Sequence, residues 1–405
     1  MTAAVTDTLS VPTAIPLMPA RYAELQAAFD GYAQGLPPLV AATQTDSGTV
    51  YRALGMTDDA GLYYLLPRFA HLFHLAPSEA WTVWFFAILI LSFGLGIYGM
   101  TRLLNTMPAK ILYFIELFFL GILIIKRGDI YQLAPCLALA AVPLLLRHMT
   151  SEHEDHAFWR YSVALGLAGF IFGCTHLVRS HSATGLMLFT IILLLFGTAV
   201  RAWHKRLLLV AIVLIGFMLP LLYMNHVADM RDAFLKAHQP NYHPVLRQHP
   251  FWHTVYIGLG YLSNDYGLAY KDIVAAKKAH ELAPDAPYCS PEYETALKTA
   301  VIDLLRKDPV FVVGTLLAKF GAVLVYFLFA ANFGLLVAIR YPKSWAVEVA
   351  FVAGLAFNAL FGLVAVPRLS YLEGFIAFAM LYGVISLDTA LHQSAVLVGH
   401  RKTSP

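Results

Sequence analysis

Apolar residues in this chain gather into long runs parted by short polar turns, and a helix that crosses a bilayer needs roughly 20 such residues. Runs at Trp81–Met100, Ile111–Ile125, Ile130–Leu146, Trp159–Val178, Ala183–Val200, Leu207–Met224, Val310–Ile339, Trp345–Val366 and Tyr371–Leu391 predict about nine transmembrane helices. Each run is expected to be α-helical, because lipid offers backbone groups no other hydrogen-bond partner. The second and third runs are short and parted only by Lys126-Arg127-Gly128-Asp129, so they read as two short spans or one broken pair. Val310–Ile339 is long enough for one tilted span or two cramped ones, and counts here as one. The expected fold class is an all-α integral membrane bundle. No internal repeat is visible, which counts against inverted-repeat transporter folds.

Two polar stretches interrupt this pattern. Residues 1–80 are mixed in character and carry Pro12, Pro16, Pro19, Pro37 and Pro38; residues 225–308 stand between two spans. The chain therefore divides into an external N-terminal segment (1–80), transmembrane helices (81–224), a large external loop (225–308), C-terminal transmembrane helices (309–392) and a tail (393–405). Within the loop, Asp272–Leu282 and Pro291–Arg306 read as two amphipathic helices split by a proline-rich turn. A long loop with its own structure is usually functional.

Composition agrees with a bilayer. Of 405 residues, 59% are hydrophobic and 13% charged, with mean hydropathy +0.64; soluble proteins sit near about 45–50% and about 25%. A net charge of +3, without a run of Lys or Arg, argues against nucleic acid as a partner. Cys136, Cys174 and Cys289 have no metal or redox spacing. The N-terminus lacks the basic-then-apolar pattern of a signal peptide.

With residues 1–80 outside, the inner loops carry Arg102, Lys110, Arg147, Arg160, Arg201, Lys205, Arg206, Arg340, Lys343, Arg401 and Lys402, against Lys126, Arg127, Arg179 and Arg368 on the outer turns. The Lys/Arg bias therefore predicts the large loop outside and the tail inside. The layout suits a bacterial inner membrane with a site on its periplasmic face.

Candidate chemistry begins at Asp58-Asp59, just before an amphipathic stretch. One carboxylate can cap a helix that lines Tyr63, Leu66 and Ala70 along one face. A carboxylate can also take the proton of a substrate hydroxyl, and an adjacent pair suits a divalent cation such as Mg or Mn. The run Asp58-Asp59-Ala60-Gly61-Leu62-Tyr63-Tyr64, then Pro67 and a His-bearing apolar helix, resembles the first external loop of C-type (GT-C) membrane glycosyltransferases. That resemblance implies a multispan bundle with external loops over the site and a polyprenyl-phosphate sugar donor. It also implies Asp58 or Asp59 as catalytic base. Residues 1–50 depart from the family layout in having no spanning segment before this loop.

The turn Val366-Pro367-Arg368-Leu369-Ser370-Tyr371 resembles the Arg/Tyr turn late in such transferases, where a guanidinium meets the carrier phosphate; its plain alternative is an interfacial anchor. Lys319, well inside a span, and Arg247 are further phosphate candidates, since intramembrane charges tend to be functional. Glu116 and Glu348 are placed near the inner ends, within reach of water, and Arg179 is read as snorkelling to the outer surface. Tyr63, Tyr64, His249, Trp252, His253, Tyr256, Asn264, Asp265, Tyr266 and Asp272 form the candidate sugar- or acceptor-binding set, through aromatic faces and hydroxyl-bonding groups. Their alternative is a small packed subdomain at the interface. His249 and His253 stand four apart, but no zincin-type carboxylate follows.

The expected function is transfer of a sugar from a polyprenyl-phosphate carrier to an outward-facing glycan, lipid or protein. The alternatives are a glycan-lipid transporter or flippase, an envelope-assembly protein, and a polymerase or ligase relying on Arg and His.

Overall fold

The structure is a computed structural model that describes residues 19–46, 48–54, 60–150, 158–198, 200, 202–239, 242–244 and 250–402. It opens with α1 (Pro19–Ala33), a hairpin of β1 (Val40–Thr45) and β2 (Gly48–Ala53), and α2 (Ala60–Phe73). The bundle follows as α3 (Pro77–Leu103), α4 (Met107–Arg127), α5 (Leu133–Thr150), α6 (Phe158–Val178), α7 (Thr184–Ile192, prolonged by a π turn to Gly197) and α8 (Trp203–His238). Three short helices, α9 (Phe251–Gly258), α10 (Asp272–Leu282) and α11 (Pro291–Lys307), form a lobe before α12 (Pro309–Arg340), α13 (Trp345–Val364) and α14 (Leu369–Lys402). Val310–Ile339 lies within α12, which is interrupted by a break at Asn332 (φ 41°), and the two expected loop helices are α10 and α11. Among the described residues the hairpin is the one departure from an all-helical reading; its strands run antiparallel from Val40 opposite Ala53 to Thr45 opposite Gly48.

Among the described residues, eight helices are long and apolar enough to cross a bilayer; the ninth expected span, Thr184–Gly197, is shorter. Helix directions show that it crosses all the same. Gly166 of α6 faces Ile212 of α8, Gly169 faces Val213 and Gly173 faces Phe217, so these two helices run parallel. The chain between them must return across the membrane. It does so along α13, with Gly185 against Asn358 at one end and Gly197 against Ala346 at the other. Fourteen residues rise about 21 Å at 1.5 Å each, and the link to Trp203 covers the rest.

The same arrangement recurs twice. On α3 and α5, Gly96 meets Leu139 and Gly99 meets Pro143; on α12 and α14, Phe327 meets Phe375 and Gly383 meets Ala331. The bundle is thus three helix triplets, each with parallel first and third members and an antiparallel helix between. Small residues at the crossings let backbones approach, because lipid removes the hydrophobic drive that would otherwise join helices.

Local signals set the ends. Pro108 opens α4, and Gly128 closes it in the left-handed conformation (φ 58°), its amide bonded to the Ile124 carbonyl. Ser290 and Asp308 cap α11 and α12 by accepting from the Tyr293 and Phe311 amides. The loop expected to begin at Asn225 instead begins later, because α8 runs on as one helix to His238. Its last turns hold the hairpin: Phe234 and His238 pack on Tyr51 at 5.2 and 5.1 Å, and the Gln239 side chain donates to the Tyr51 carbonyl. The N-terminal segment and the lobe consequently share one face of the bundle, the loop face.

The lobe has its own core of Tyr256, Ile257, Leu268, Ala275, Tyr293, Leu297 and Val301. It sits on the ends of α12 and α13 through Gly258, where a Cβ would fall 2.2 Å from the Val364 carbonyl oxygen and 3.0 Å from Lys319 Nζ.

Candidate functional site

At the loop face, the start of α5, the α6–α7 turn, the end of α13 and the start of α14 surround a small cavity. Its volume is about 40 Å³, and its walls include Tyr131, Arg179, Ser180, His181, Asn358 and Tyr371. The α6–α7 turn is closed by Ser182, whose hydroxyl donates to the Arg179 carbonyl (2.7 Å) and the Thr175 carbonyl (3.1 Å). His181 adopts a left-handed backbone (φ 75°) and sets its ring 4.7 Å from that of Phe361. Such a conformation is uncommon outside glycine and often marks a functional position.

Arg179 does not snorkel. Its residue is only 6% exposed, its Nη2 donates to the Tyr131 hydroxyl (3.0 Å) and its guanidinium lies 4.5 Å from the Tyr131 ring. The expectation fails because the α6–α7 turn is roofed by neighbouring helices rather than open to water. Arg368 is exposed at the mouth, 4.7 Å above the ring of Tyr270 from the lobe. The hydroxyls of Tyr270 and Tyr371 meet at 2.8 Å. Burial, and then the neighbouring Tyr371, push the Tyr270 phenol well up, so its hydroxyl stays neutral in this contact. Below the mouth, Arg127 Nε lies 3.1 Å from a Glu373 oxygen; Glu373 is 1% exposed. The N–H is not aimed at that oxygen, so the contact is Coulombic rather than a hydrogen bond.

The expected site residues divide into four groups. Asp58, Asp59, Arg247 and His249 lie outside the described residues. The described chain resumes at Ala60, and Gly61 lies against the backbone of Leu177, two residues before Arg179. Arg368 stands at the cavity mouth.

The third group is structural in its contacts. Tyr63 is 8% exposed in the main core. The Tyr64 hydroxyl lies 2.6 Å from that of Tyr223, under the Arg68 guanidinium at 3.7 Å from its ring, and burial pushes its phenol up to about 12. Lys319 is 1% exposed and donates to the Leu363 and Val364 carbonyls at 3.0 and 3.2 Å, so its ammonium serves the C-terminus of α13. Trp252 and Tyr256 pack within the lobe. Asn264 braces a turn, donating to the Leu262 and Leu268 carbonyls and accepting from the Tyr266 and Leu268 amides. Tyr266 donates to Asp308 (2.7 Å), and Asp265 is exposed.

The fourth group is a buried relay in the lobe. His253, 5% exposed, places Nδ1 2.7 Å from the Tyr293 hydroxyl and Nε2 3.2 Å from Asp272. Glu294 accepts from the Trp252 and His253 amides at 2.8 and 2.9 Å and so fixes the start of α9. Burial pushes the Tyr293 phenol up, which keeps it a neutral hydroxyl able to donate to the ring.

Glu116 also differs from its expectation. It lies midway along α4 and accepts from the Asn332 side chain at a break in α12, where Asn332 has φ 41°. Among the described residues, no group of three or more His, Cys, Asp or Glu side chains is placed to hold a metal.

The cavity residues Tyr131, Ser180, His181 and Asn358 were missed in the sequence. The available signal was the run Arg179-Ser180-His181-Ser182, four polar residues between two apolar spans. Comparisons with family models, with curated proteins and with solved structures give no match to this chain.

Proposed function

We propose that this integral membrane protein is a glycosyltransferase that takes a sugar from a polyprenyl-phosphate carrier and passes it to a glycan, lipid or protein acceptor at the loop face. We take that face to be the outer, periplasmic one, following the Lys/Arg bias of the turns. The observation that carries the reading is two arginines set against tyrosines: Arg179 in the cavity wall on Tyr131, and Arg368 on Tyr270, in the turn that leads into Ser370 and Tyr371 of the same wall. Guanidinium groups match phosphate oxygens and hold their charge at every physiological pH. At the membrane interface they suit a lipid phosphate.

In this reading Asp58 or Asp59 takes the proton from the acceptor hydroxyl. The acceptor oxygen bonds to the anomeric carbon from the face opposite the phosphate, with inversion. The bond from that carbon to the phosphate oxygen breaks, and its electron pair leaves with the lipid phosphate. Arg179 and Arg368 offset the charge that develops there, the kind of term that dominates such transfers. Lys319, committed to α13, has no part in it.

The test is transfer from polyprenyl-phosphate sugars by the full chain in nanodiscs. Asp58→Asn or Asp59→Asn is expected to lower the rate by at least 100-fold, within the range for a lost general base. Arg368→Ala is expected to weaken binding of the lipid phosphate roughly tenfold. Full activity in the double Asn variant would remove the base assignment. One observation favours a second reading, a polymerase or ligase: His181 and Arg179 line the same cavity. Loss of transfer in Arg179→Gln and His181→Gln, with Asp58→Asn and Asp59→Asn active, would select it.

A further inference from the structure

The cavity and its mouth account for a phosphate but leave the sugar without a recognising group. Tyr270 belongs to the lobe, yet its hydroxyl reaches Tyr371 of the bundle and its ring lies under Arg368. Lys271 is extended (φ −146°, ψ 132°), so Tyr270 and Asp272 project from the same side of the chain. Two extended residues span about 7 Å, comparable to the width of a pyranose ring beyond its phosphate. The Asp272 side chain is 77% exposed. On its lobe side it is held by His253, and His253 by Tyr293. With Nδ1 at Tyr293 and Nε2 at Asp272, the buried His253 ring holds this exposed carboxylate in one orientation, which costs side-chain entropy that a merely solvated carboxylate would keep.

We infer that Asp272 is the sugar-recognising carboxylate of this site, binding hydroxyls of the sugar whose phosphate lies at Arg368, with His253 and Tyr293 as positioning residues. The inference rests on the lipid-phosphate reading above. A carboxylate accepts from neighbouring sugar hydroxyls through charge-assisted hydrogen bonds, while the Tyr270 ring offers an apolar face to the sugar C–H surface. The order Arg368, Tyr270, Asp272 then runs from phosphate to sugar hydroxyls.

The experiment separates sugar from phosphate. The full chain in nanodiscs is titrated with farnesyl phosphate, and with farnesyl phosphate bearing glucose, mannose, galactose or arabinose. The unaltered chain is expected to bind one sugar-bearing lipid more tightly than farnesyl phosphate. Asp272→Asn is expected to weaken that lipid roughly 10- to 100-fold, the span of a hydrogen bond to a charged group, and to leave farnesyl phosphate within about twofold. Tyr293→Phe, which keeps the carboxylate but loosens His253, is expected to lose less of the same selectivity. A purely structural role would weaken both ligands together. Equal losses, no loss, or no added affinity from any sugar in the unaltered chain would overturn the role of Asp272 while leaving the phosphate site standing. Failure of the unaltered chain to bind farnesyl phosphate would overturn the lipid-phosphate reading and this inference with it.

Discussion

Gly61→Ala and Gly94→Ala add the same methyl group to two helices, with opposite expected results. A Cβ at Gly61 would lie 2.6 Å from the Leu177 carbonyl carbon and 2.7 Å from its oxygen. Carbon atoms pack best at about 3.5–4.0 Å, so α2 must withdraw from α6 by about 1 Å. Forcing a methyl into such a contact costs about 1–3 kcal/mol, and better helix propensity returns about 1 kcal/mol. The net expectation is a loss of about 0–2 kcal/mol. At Gly94, inside α3, no atom lies within 4 Å of the new Cβ, so only the propensity gain remains. The two variants should therefore differ by about 1–3 kcal/mol, read as separate thermal unfolding midpoints in the same nanodiscs. Under the proposed transferase reading, a misplacement of about 1 Å in the structure around a reacting group costs roughly 100-fold in rate, so Gly61→Ala is expected to lower transfer activity and Gly94→Ala to leave it unchanged. Coincident unfolding midpoints and equal activities would refute the α2–α6 contact.

Further tests address other contacts. Asp388, 5% exposed, accepts from the Asn105 and Thr106 amides (2.9 and 2.7 Å) and from the Thr106 hydroxyl (2.8 Å). Asp388→Ala should cost roughly 1–3 kcal/mol by removing the acceptor of two backbone amides and a hydroxyl at the α3–α4 turn, measured by steric-trap unfolding in bicelles. Tyr371→Phe removes a hydroxyl–hydroxyl hydrogen bond worth about 0.5–1.5 kcal/mol; hydrogen exchange in residues 262–271 should rise severalfold while the rest of the lobe is unchanged. The Phe311 amide, and then the Tyr266 hydroxyl, hold the Asp308 carboxyl below its usual range. A depressed carboxyl contributes fully above the unfolded value of about 3.9, and its contribution is lost as pH falls through the folded value. Protection of residues 264–268 should thus hold from pH 7 to about pH 4 and fall only below it. Asp308→Asn should lower it at about pH 4 and above and remove the fall below about pH 4.

The bundle was legible because its signal is local. Lipid forces each apolar run into a helix, so the nine runs could be placed from composition and length alone. Turn and cap chemistry gave Asp272–Leu282 and the start of α11 for the same reason. Local reading reached its limit with α8. Its polar last turns looked like loop, but they stay helical because Phe234 and His238 are packed under a hairpin formed by a distant segment.

The site was less legible. The residue types around Arg368 and the lobe marked a polar region, and the sequence alone singled out Arg368, His253 and Asp272. It had no means of separating Asn264, which braces its own turn, from Asp272, which ends a relay, because both are polar loop residues. Nor could it separate an arginine that reaches water from Arg179, which lies under Tyr131; hydropathy counts depth along a helix and not what stands beside it. Tertiary structure made those decisions by bringing four helix ends and one lobe tyrosine to a single place. Which groups are buried together depends on helix direction and crossing. Those are properties of pairs of segments, which no single segment of the sequence carries.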